Sequence, residues 1–423
     1  MNIAGKKIHV ISLGCARNVV DSEKILGDAL AAGAKRADLD QAQAVILNTC
    51  GFTEEAKRES LQAMEELVER KRAGRLPALF VVGCLVQRYG RELRRHFPHV
   101  DGFGGLADFK TVFSDGARLT PAHTAYVKIC EGCANPCTYC AIPSIKGPLQ
   151  SRPEAQVLDE VRALEARGVK EINIVGQDIT LYGSERDTRR RASPLARLIK
   201  KILKNSRIPW IRLLYLHPRR MTDELIDLIA SQPRVCSYVD VPLQHVSDRV
   251  LRAMGRGMDH RAVRALVEKL RRRIPAVALR TAFIVGFPGE TKQEFRELCG
   301  AVTHLRFDRM GVFMYSREEG TRAYGLRPQI ASRVKRERRD HLMRLQADVS
   351  RKNLREDVGR CLDVLIEAPG PRPGVFVGRS YKDAPEVDGT VRVRAQAKLC
   401  PGDIVRCRIT SSATYDLSGE LVR

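Results

Sequence analysis

No stretch of this 423-residue chain approaches 18 consecutive apolar residues, so a membrane-crossing helix is not expected. Residues 1–10 carry Lys6 and Lys7 but no apolar segment of the kind a secretory leader needs, and a soluble cytoplasmic protein is expected. In a reducing compartment its 12 cysteines are not expected to form disulfides, which leaves them as ligands or buried apolar fillers. Acidic charge is in short supply: 50 Asp and Glu face 73 Lys and Arg, a net charge of +23. The excess collects at 186–191, 271–273 and 335–339. Nucleic acid is the obvious counter-charge, and a solvated arginine-rich helix face is the plainer alternative for any single run. Internal repeats and low-complexity linkers are missing too, and the length suggests two or three domains.

The cysteine spacing carries more. Cys133, Cys137 and Cys140 stand as C-x3-C-x2-C, offering a metal cluster three thiolates where full ligation needs four. Soft thiolates select iron–sulfur clusters or zinc, but a zinc ribbon wants two cysteine pairs across a long loop, and this loop is too short. Cys130 adds a preceding C-x2-C, so a four-cysteine reading of 130, 133, 137 and 140 stands beside the three-cysteine one. The x3 gap disfavours a ferredoxin-type run.

From residue 7 to about 115, short apolar runs at 8–13, 44–47 and 79–82 each precede a helical pattern, which predicts a parallel-sheet α/β domain. Cys15, Cys50 and Cys84 each follow one of these strands. In such sheets the ligand crevice lies outside the carboxyl ends of the strands, so the three are expected to converge there, with Gly14, Gly51 and Gly83 permitting close approach. Three buried apolar cysteines are the competing reading.

From 124 to about 350 six more strands are expected, at 125–129, 171–175, 211–216, 238–241, 279–285 and 311–315, alternating with helices in a partial (β/α) barrel. Its loops carry Gly176-Gln177-Asp178, His217-Pro218, Pro242-Leu243-Gln244-His245 and Gly286-Phe287-Pro288-Gly289-Glu290, the last running into a capping box at Thr291 and Glu294. A charged helix is expected over 331–352. Beyond it, strands at 362–366, 374–377, 389–393 and 403–409 predict a small β-barrel. That region has 10 basic and 8 acidic residues from 359 onward, so the positive excess belongs to the rest of the chain. Cys236, Cys299, Cys361, Cys400 and Cys407 are expected to be packing residues.

These motifs together resemble the methylthiotransferases of the radical S-adenosylmethionine superfamily over nearly the whole chain, and within them the RimO type. The residues that carry the likeness are Ser12-Leu13-Gly14-Cys15 with Asn18 and Asp21-Ser22-Glu23, then Asn48-Thr49-Cys50-Gly51-Phe52, Gly83-Cys84-Leu85 and Gln87-Arg88-Tyr89. Glu131-Gly132-Cys133 through Ala141-Ile142-Pro143, Pro242 to His245, Phe283 to Thr291, Tyr315-Ser316 with Glu319-Gly320-Thr321, Gly378-Arg379-Ser380-Tyr381 and Asp383 to Gly389 complete it.

The resemblance implies three domains: a cluster-binding domain at 5–116, a radical S-adenosylmethionine core at 119–350 and a TRAM β-barrel at 353–423. It implies two [4Fe–4S] clusters, one on Cys15, Cys50 and Cys84 carrying the sulfur to be inserted, the other on Cys133, Cys137 and Cys140 generating a radical from S-adenosylmethionine. Gly176, Gln177, Asp178, Gln244 and Gly286 are expected to line the S-adenosylmethionine site. Tyr139 either packs on the adenine or is an ordinary core tyrosine. Cys130, where a small residue is expected, is read as a spare thiol.

The implied reaction is methylthiolation of an aspartate β-carbon in small-subunit ribosomal protein S-twelve, near ribosomal RNA, with a flavodoxin or ferredoxin as electron donor and no membrane partner. Methylthiolation of an adenosine in transfer RNA, or non-catalytic RNA binding around a structural metal, are the rivals.

Overall fold

The computed structural model describes residues 3–106, 117–185 and 193–422. The basic run at 186–191 lies outside the described residues.

The first unit is built from β1 (Lys7–Ser12), α1 (Ala16–Ala31), β2 (Lys35–Arg36), β3 (Ala44–Thr49), α2 (Glu54–Arg72), β4 (Ala78–Gly83), α3 (Cys84–His96) and β5 (Gly102–Phe103). The five strands form one parallel sheet in the order β2-β1-β3-β4-β5. β3 and β4 are buried along their full length, as expected of strands covered on both faces. Val45, Leu47, Leu79 and Val81 pack under Met64 and Leu67 of α2, while Ile8, Ile46 and Phe80 pack on Leu26 of α1 across the sheet. Because β1, β3 and β4 are neighbours, their carboxyl ends bring Cys15, Cys50 and Cys84 to one edge.

The central unit opens with β6 (Thr124–Lys128), β7 (Cys130–Glu131), α4 (Ile142–Lys146), β8 (Gln150–Ser151), α5 (Glu154–Ala166), β9 (Glu171–Val175), α6 (Pro194–Asn205), β10 (Trp210–Leu213) and α7 (Asp223–Ser231). It continues through β11 (Tyr238–Asp240), α8 (Asp248–Ala253), α9 (His260–Arg273), β12 (Ala278–Val285), α10 (Lys292–Leu305), β13 (Arg309–Met314) and α11 (Ser332–Arg355). The four pairings among the six main strands are all parallel, in two three-stranded sheets linked by a bridge between Ile211 and Val235. The expected partial barrel is therefore present. Its outer face packs on the helices through a large apolar core, while polar side chains such as Glu171, Asn173, Arg212 and Asp240 are buried at the strands. The capping box at Thr291 and Glu294 is formed.

The last unit is a closed barrel of β14 (Cys361–Pro369), β15 (Val375–Ser380), β16 (Val391–Arg394), β17 (Ile404–Ser412) and β18 (Leu417–Leu421). The final strand, the two-residue strands β2 and β5, and the β7–β8 hairpin were not foreseen. Cys400 corrects the packing expectation: it is exposed, whereas Cys236 and Cys407 are buried.

The small barrel is keyed into the amino ends of the core strands. Glu171, the first residue of β9, takes Arg212 Nε at 2.9 Å and Arg379 Nη2 at 2.6 Å, all three essentially buried. Lys382 reaches Asp357 at 2.6 Å, Arg309 pairs with Asp383, and Tyr238 donates its hydroxyl hydrogen to Asp388 at 2.6 Å. Burial opposes the Glu171 carboxylate, but Arg379 and then Arg212 outweigh it and hold the carboxyl at about 2. A depressed carboxyl stabilises the fold above its ordinary 4.5, and that contribution is lost as pH falls from there towards 2. Glu171→Gln should cost about 3–5 kcal/mol at neutral pH, because it strands two buried guanidinium groups. Denaturant midpoints across this acid window should fall for the parent and stay flatter for the variant.

Two basic runs prove to be partly absorbed by the fold. Arg271 donates to the Arg306 carbonyl, Arg273 pairs with Asp223 and Asp227, Lys335 donates to the Tyr315 carbonyl and Arg338 holds Glu290. At these positions the helix-face reading suits better than a nucleic-acid surface.

Candidate active site

Cys15 caps α1, Cys50 follows β3 and Cys84 opens α3. The glycines beside them are demanded by space. A Cβ on Gly14, at φ +94°, would lie 2.8 Å from Cys50 Cβ, and one on Gly83, at φ +100°, 2.2 Å from Asn48 Oδ1. Polar side chains fix the loops: Ser60 Oγ accepts from Cys50 N at 3.0 Å and donates to its carbonyl at 2.9 Å, and Asn18 Nδ2 donates to the carbonyls of Leu13 and Thr49. The three thiols differ in character. Burial opposes the Cys15 thiolate, but Arg17, through charge and an Nε–H···S bond of 3.2 Å, holds that thiol below its ordinary value. Burial raises Cys50 and pushes Cys84 up to about 12, with Cys50 feeling the charge of Cys15 and Cys84 that of both Cys50 and Cys15.

Cys133, Cys137 and Cys140 lie on the loop between β7 and α4. Gly132, at φ +68°, admits no side chain, since a Cβ would sit 2.1 Å from the Pro148 carbonyl oxygen. The loop is stitched down by Thr138, which donates from N to the Met254 carbonyl at 3.0 Å and from Oγ1 to the Ala253 carbonyl at 2.8 Å. Asn135 Nδ2 lies 3.3 Å from Cys133 Sγ and 2.7 Å from Asp178 Oδ2, and Arg220 secures both Asn135 and Asp178. Arg256 donates from Nη1 to Cys137 Sγ at 3.5 Å and from Nη2 to the Pro242 carbonyl at 2.6 Å. Burial pushes the Cys140 thiol up to about 12.

Among the described residues no three His, Cys, Asp or Glu side chains gather around a single-ion point. Thiolates that reach different irons of one cluster stand further apart than the ligands of one ion. Two observations fit an added group at the second trio: the soft donor set, and two buried polar atoms, Arg256 Nε and Gln177 Oε1, with no hydrogen-bond partner among the described residues.

The other expected residues fall as follows. Gly176 lies at the end of β9, where a Cβ would be 2.5 Å from Cys130 Sγ. Gln177 donates to Glu131 at 2.6 Å, and Asp178 braces the cysteine loop as above. Gln244 holds a left-handed φ of 74° and adds its backbone to the sheet edge beside Phe283. Gly286, at φ +72°, faces the Lys335 stem, 2.4 Å from where its Cβ would be. Tyr139 packs on an apolar cluster with Met254, Phe287 and Tyr315; burial raises its hydroxyl, near Arg256 and Cys137. Cys130 is fully buried in the barrel core, its Sγ 3.7 Å from the Asp178 carbonyl oxygen, which favours the spare-thiol reading. Cys130→Ser is accordingly expected to keep iron content and activity, and loss of one cluster's iron on metal analysis would contradict this.

Several motif residues turn out to join the two units. Asp21 pairs with Lys128 and, at 2.9 Å, with Lys146, and Glu23 Oε1 takes the Leu119 and Thr120 N–H groups at 2.8 and 3.0 Å, while Ser22 between them bonds Ser12 at 2.8 Å within the first unit. Arg88 spans from the Gly51 carbonyl to Glu318, 2.7 Å to each. Arg17, Asn135, Arg220 and Arg256 were missed, and nothing periodic marks them.

A partial parallel barrel with a three-cysteine loop at its mouth is the arrangement of a radical S-adenosylmethionine protein. Residues 127–302 match the model of the Radical SAM superfamily, 7–105 that of the uncharacterized protein family UPF0004 and 358–422 that of the TRAM domain. The chain is similar to solved structures of the radical S-adenosylmethionine methyltransferase TsrM from Kitasatospora setae, one at a TM-score of 0.55 and 14% identity, covering 88% of this chain and 80% of that one. Proteins named ribosomal protein uS12 methylthiotransferase RimO align end to end. That of Citrifermentans bemidjiense is 44% identical, covering 99% of this chain and 98% of its own; that of Geotalea uraniireducens is 45% identical, with 99% and 98% covered; that of Geobacter sulfurreducens is 44% identical, with 100% of each covered. The chain belongs to the ribosomal protein uS12 methylthiotransferase RimO family.

Proposed function

We propose that this protein methylthiolates the β-carbon of an aspartate in ribosomal protein uS12, in the cytoplasm, with Cys133, Cys137 and Cys140 holding one [4Fe–4S] cluster and Cys15, Cys50 and Cys84 a second. The observation that carries it is that loops bearing the two trios, from separate units, border one interface, where Cys84 packs with Ala141 and Ile145 and buried ion pairs join Arg88 to Glu318 and Asp21 to Lys128 and Lys146. We divide the chain at 5–116, 119–350 and 353–423; the matched segments 7–105, 127–302 and 358–422 support this, while α11 runs past 353 to Arg355. When bound, the groups supply homolytic cleavage of S-adenosylmethionine and a sulfur for insertion, which suits a C–H bond that offers neither a lone pair nor an acidic proton.

The chain's own residues supply position and dryness. Asn135 and Arg256 direct N–H groups at Cys133 and Cys137, and Asp178 with Arg220 keeps the loop from drifting. Tyr139, Phe287 and Tyr315 wall one side with apolar surface. Gly176, Gln177, Asp178, Gln244 and Gly286 contribute the strand-end loops that would receive S-adenosylmethionine. A flavodoxin or ferredoxin supplies electrons, and ribosomal RNA near uS12 offers a counter-charge for a +23 chain.

Anaerobically reconstituted protein, given S-adenosylmethionine, a reductant and sulfide, should add the methylthio mass to a uS12 aspartate by peptide mass spectrometry. The same mass on transfer RNA, with uS12 untouched, would overturn the proposal.

A further inference from the structure

Arg17 stands between the first trio and the barrel mouth. Its Nε is 3.2 Å from Cys15 Sγ, and its Nη1 is 3.5 Å from the Gly176 carbonyl oxygen at the barrel mouth. The guanidinium carbon lies 4.5 Å above the centre of the Tyr215 ring. That ring is held in a deliberate place. Tyr215 adopts a left-handed φ of 63°, its N–H donates to Asp240 Oδ2 at 2.9 Å, and its carbonyl accepts from Ile179 N at 3.3 Å. A strained, over-determined backbone that presents an aromatic face to a cation is the kind of feature found at functional sites. Two residues beyond Gly176, Asp178 holds Asn135 against Cys133 of the second trio. Arg256, by contrast, donates to Cys137 of the second trio and to the Pro242 carbonyl.

Building on the two-cluster reading above, we propose that Arg17 is a positioning residue serving both metal centres, its stacked cation favouring the reduced state of each. Hydrogen bonds to cluster sulfur and nearby charge are the levers by which a protein sets such potentials. A cation shared by two centres makes each easier to reduce, and it does so for both together. Arginine suits the place because its planar fork can stack on Tyr215 while donating to sulfur on one side and a carbonyl on the other.

The test is a redox titration of the reconstituted full-length chain, followed by electron paramagnetic resonance, with iron counted in each sample. Arg17→Gln should keep about eight irons per chain and shift both clusters to more negative midpoints, each by about tenfold or more in the reduction equilibrium, which is about 59 mV for one electron. Arg17→Lys should shift them less, and Arg256→Gln should shift only the second cluster. Unmoved midpoints in Arg17→Gln, or a shift confined to one cluster, would overturn the proposal. If Arg17→Gln does not retain iron, Tyr215→Leu takes its place: it keeps the cation but removes its platform, and must again shift both midpoints. An unsubstituted chain holding only about four irons would instead sink the two-cluster reading itself.

Discussion

Cys140→Ala is expected to abolish reductive cleavage of S-adenosylmethionine and all methylthiolation, while iron falls from about eight to about four per chain. The spare thiol Cys130 is buried in the barrel core against the Asp178 carbonyl and is not expected to replace the lost sulfur. Asn135 and Arg256 approach the trio as N–H donors, and arginine has no acceptor at all. Asp178, the carboxylate nearest in the network, is already committed to Asn135, Arg220 and Thr180. The backbone should survive, because the loop is pinned through Thr138 and closely packed at Gly132, not held through the thiol. Iron and sulfide analysis, with chromatographic detection of 5′-deoxyadenosine, reads the outcome. Undiminished 5′-deoxyadenosine would remove Cys140 from the ligand set.

Cys50→Ala should separate the two halves of the chemistry. Its backbone N–H and carbonyl are both held by Ser60 Oγ, so the loop has no need of the thiol to keep its shape. Iron should again drop to about four per chain, yet reductive cleavage of S-adenosylmethionine should persist, since the second loop is untouched. No methylthio mass should reach uS12. A variant that still delivers it would show that the first trio is not the sulfur site. The paired results, one variant silent in both assays and one in a single assay, distinguish the two roles more sharply than loss of activity alone.

Much of this arrangement could be read from the chain because it is local or periodic. Cys15, Cys50 and Cys84 were placed by the rule that strands alternating with helices form a parallel sheet, and β1, β3 and β4 are indeed adjacent. The C-x3-C-x2-C spacing needs no structure at all. Arg17 and Arg256 were illegible for the opposite reason: each acts on a partner from another part of the fold or through a contact without sequence period, Arg17 on Tyr215 and Gly176, Arg256 on Cys137. The strand β18 escaped because Leu417-Ser418-Gly419-Glu420-Leu421 has little hydrophobic alternation, although it pairs antiparallel with β17 directly before it and in parallel with β16. The motif Asp21-Ser22-Glu23 was recognised by likeness, but its work, tying α1 to β6, α4 and the segment at 119–120, is visible only in three dimensions.

The Glu171 triad has a bearing on how such proteins can be recombined. A carboxylate at the foot of β9 faces one guanidinium from its own unit and another from the terminal barrel. Transplanting a foreign barrel that lacks a counterpart of Arg379 would leave that foot half-neutralised, and the graft would be penalised before any substrate was met. The terminal module behaves as a keystone of the architecture, so its exchange between lineages is limited to donors carrying the matching tooth.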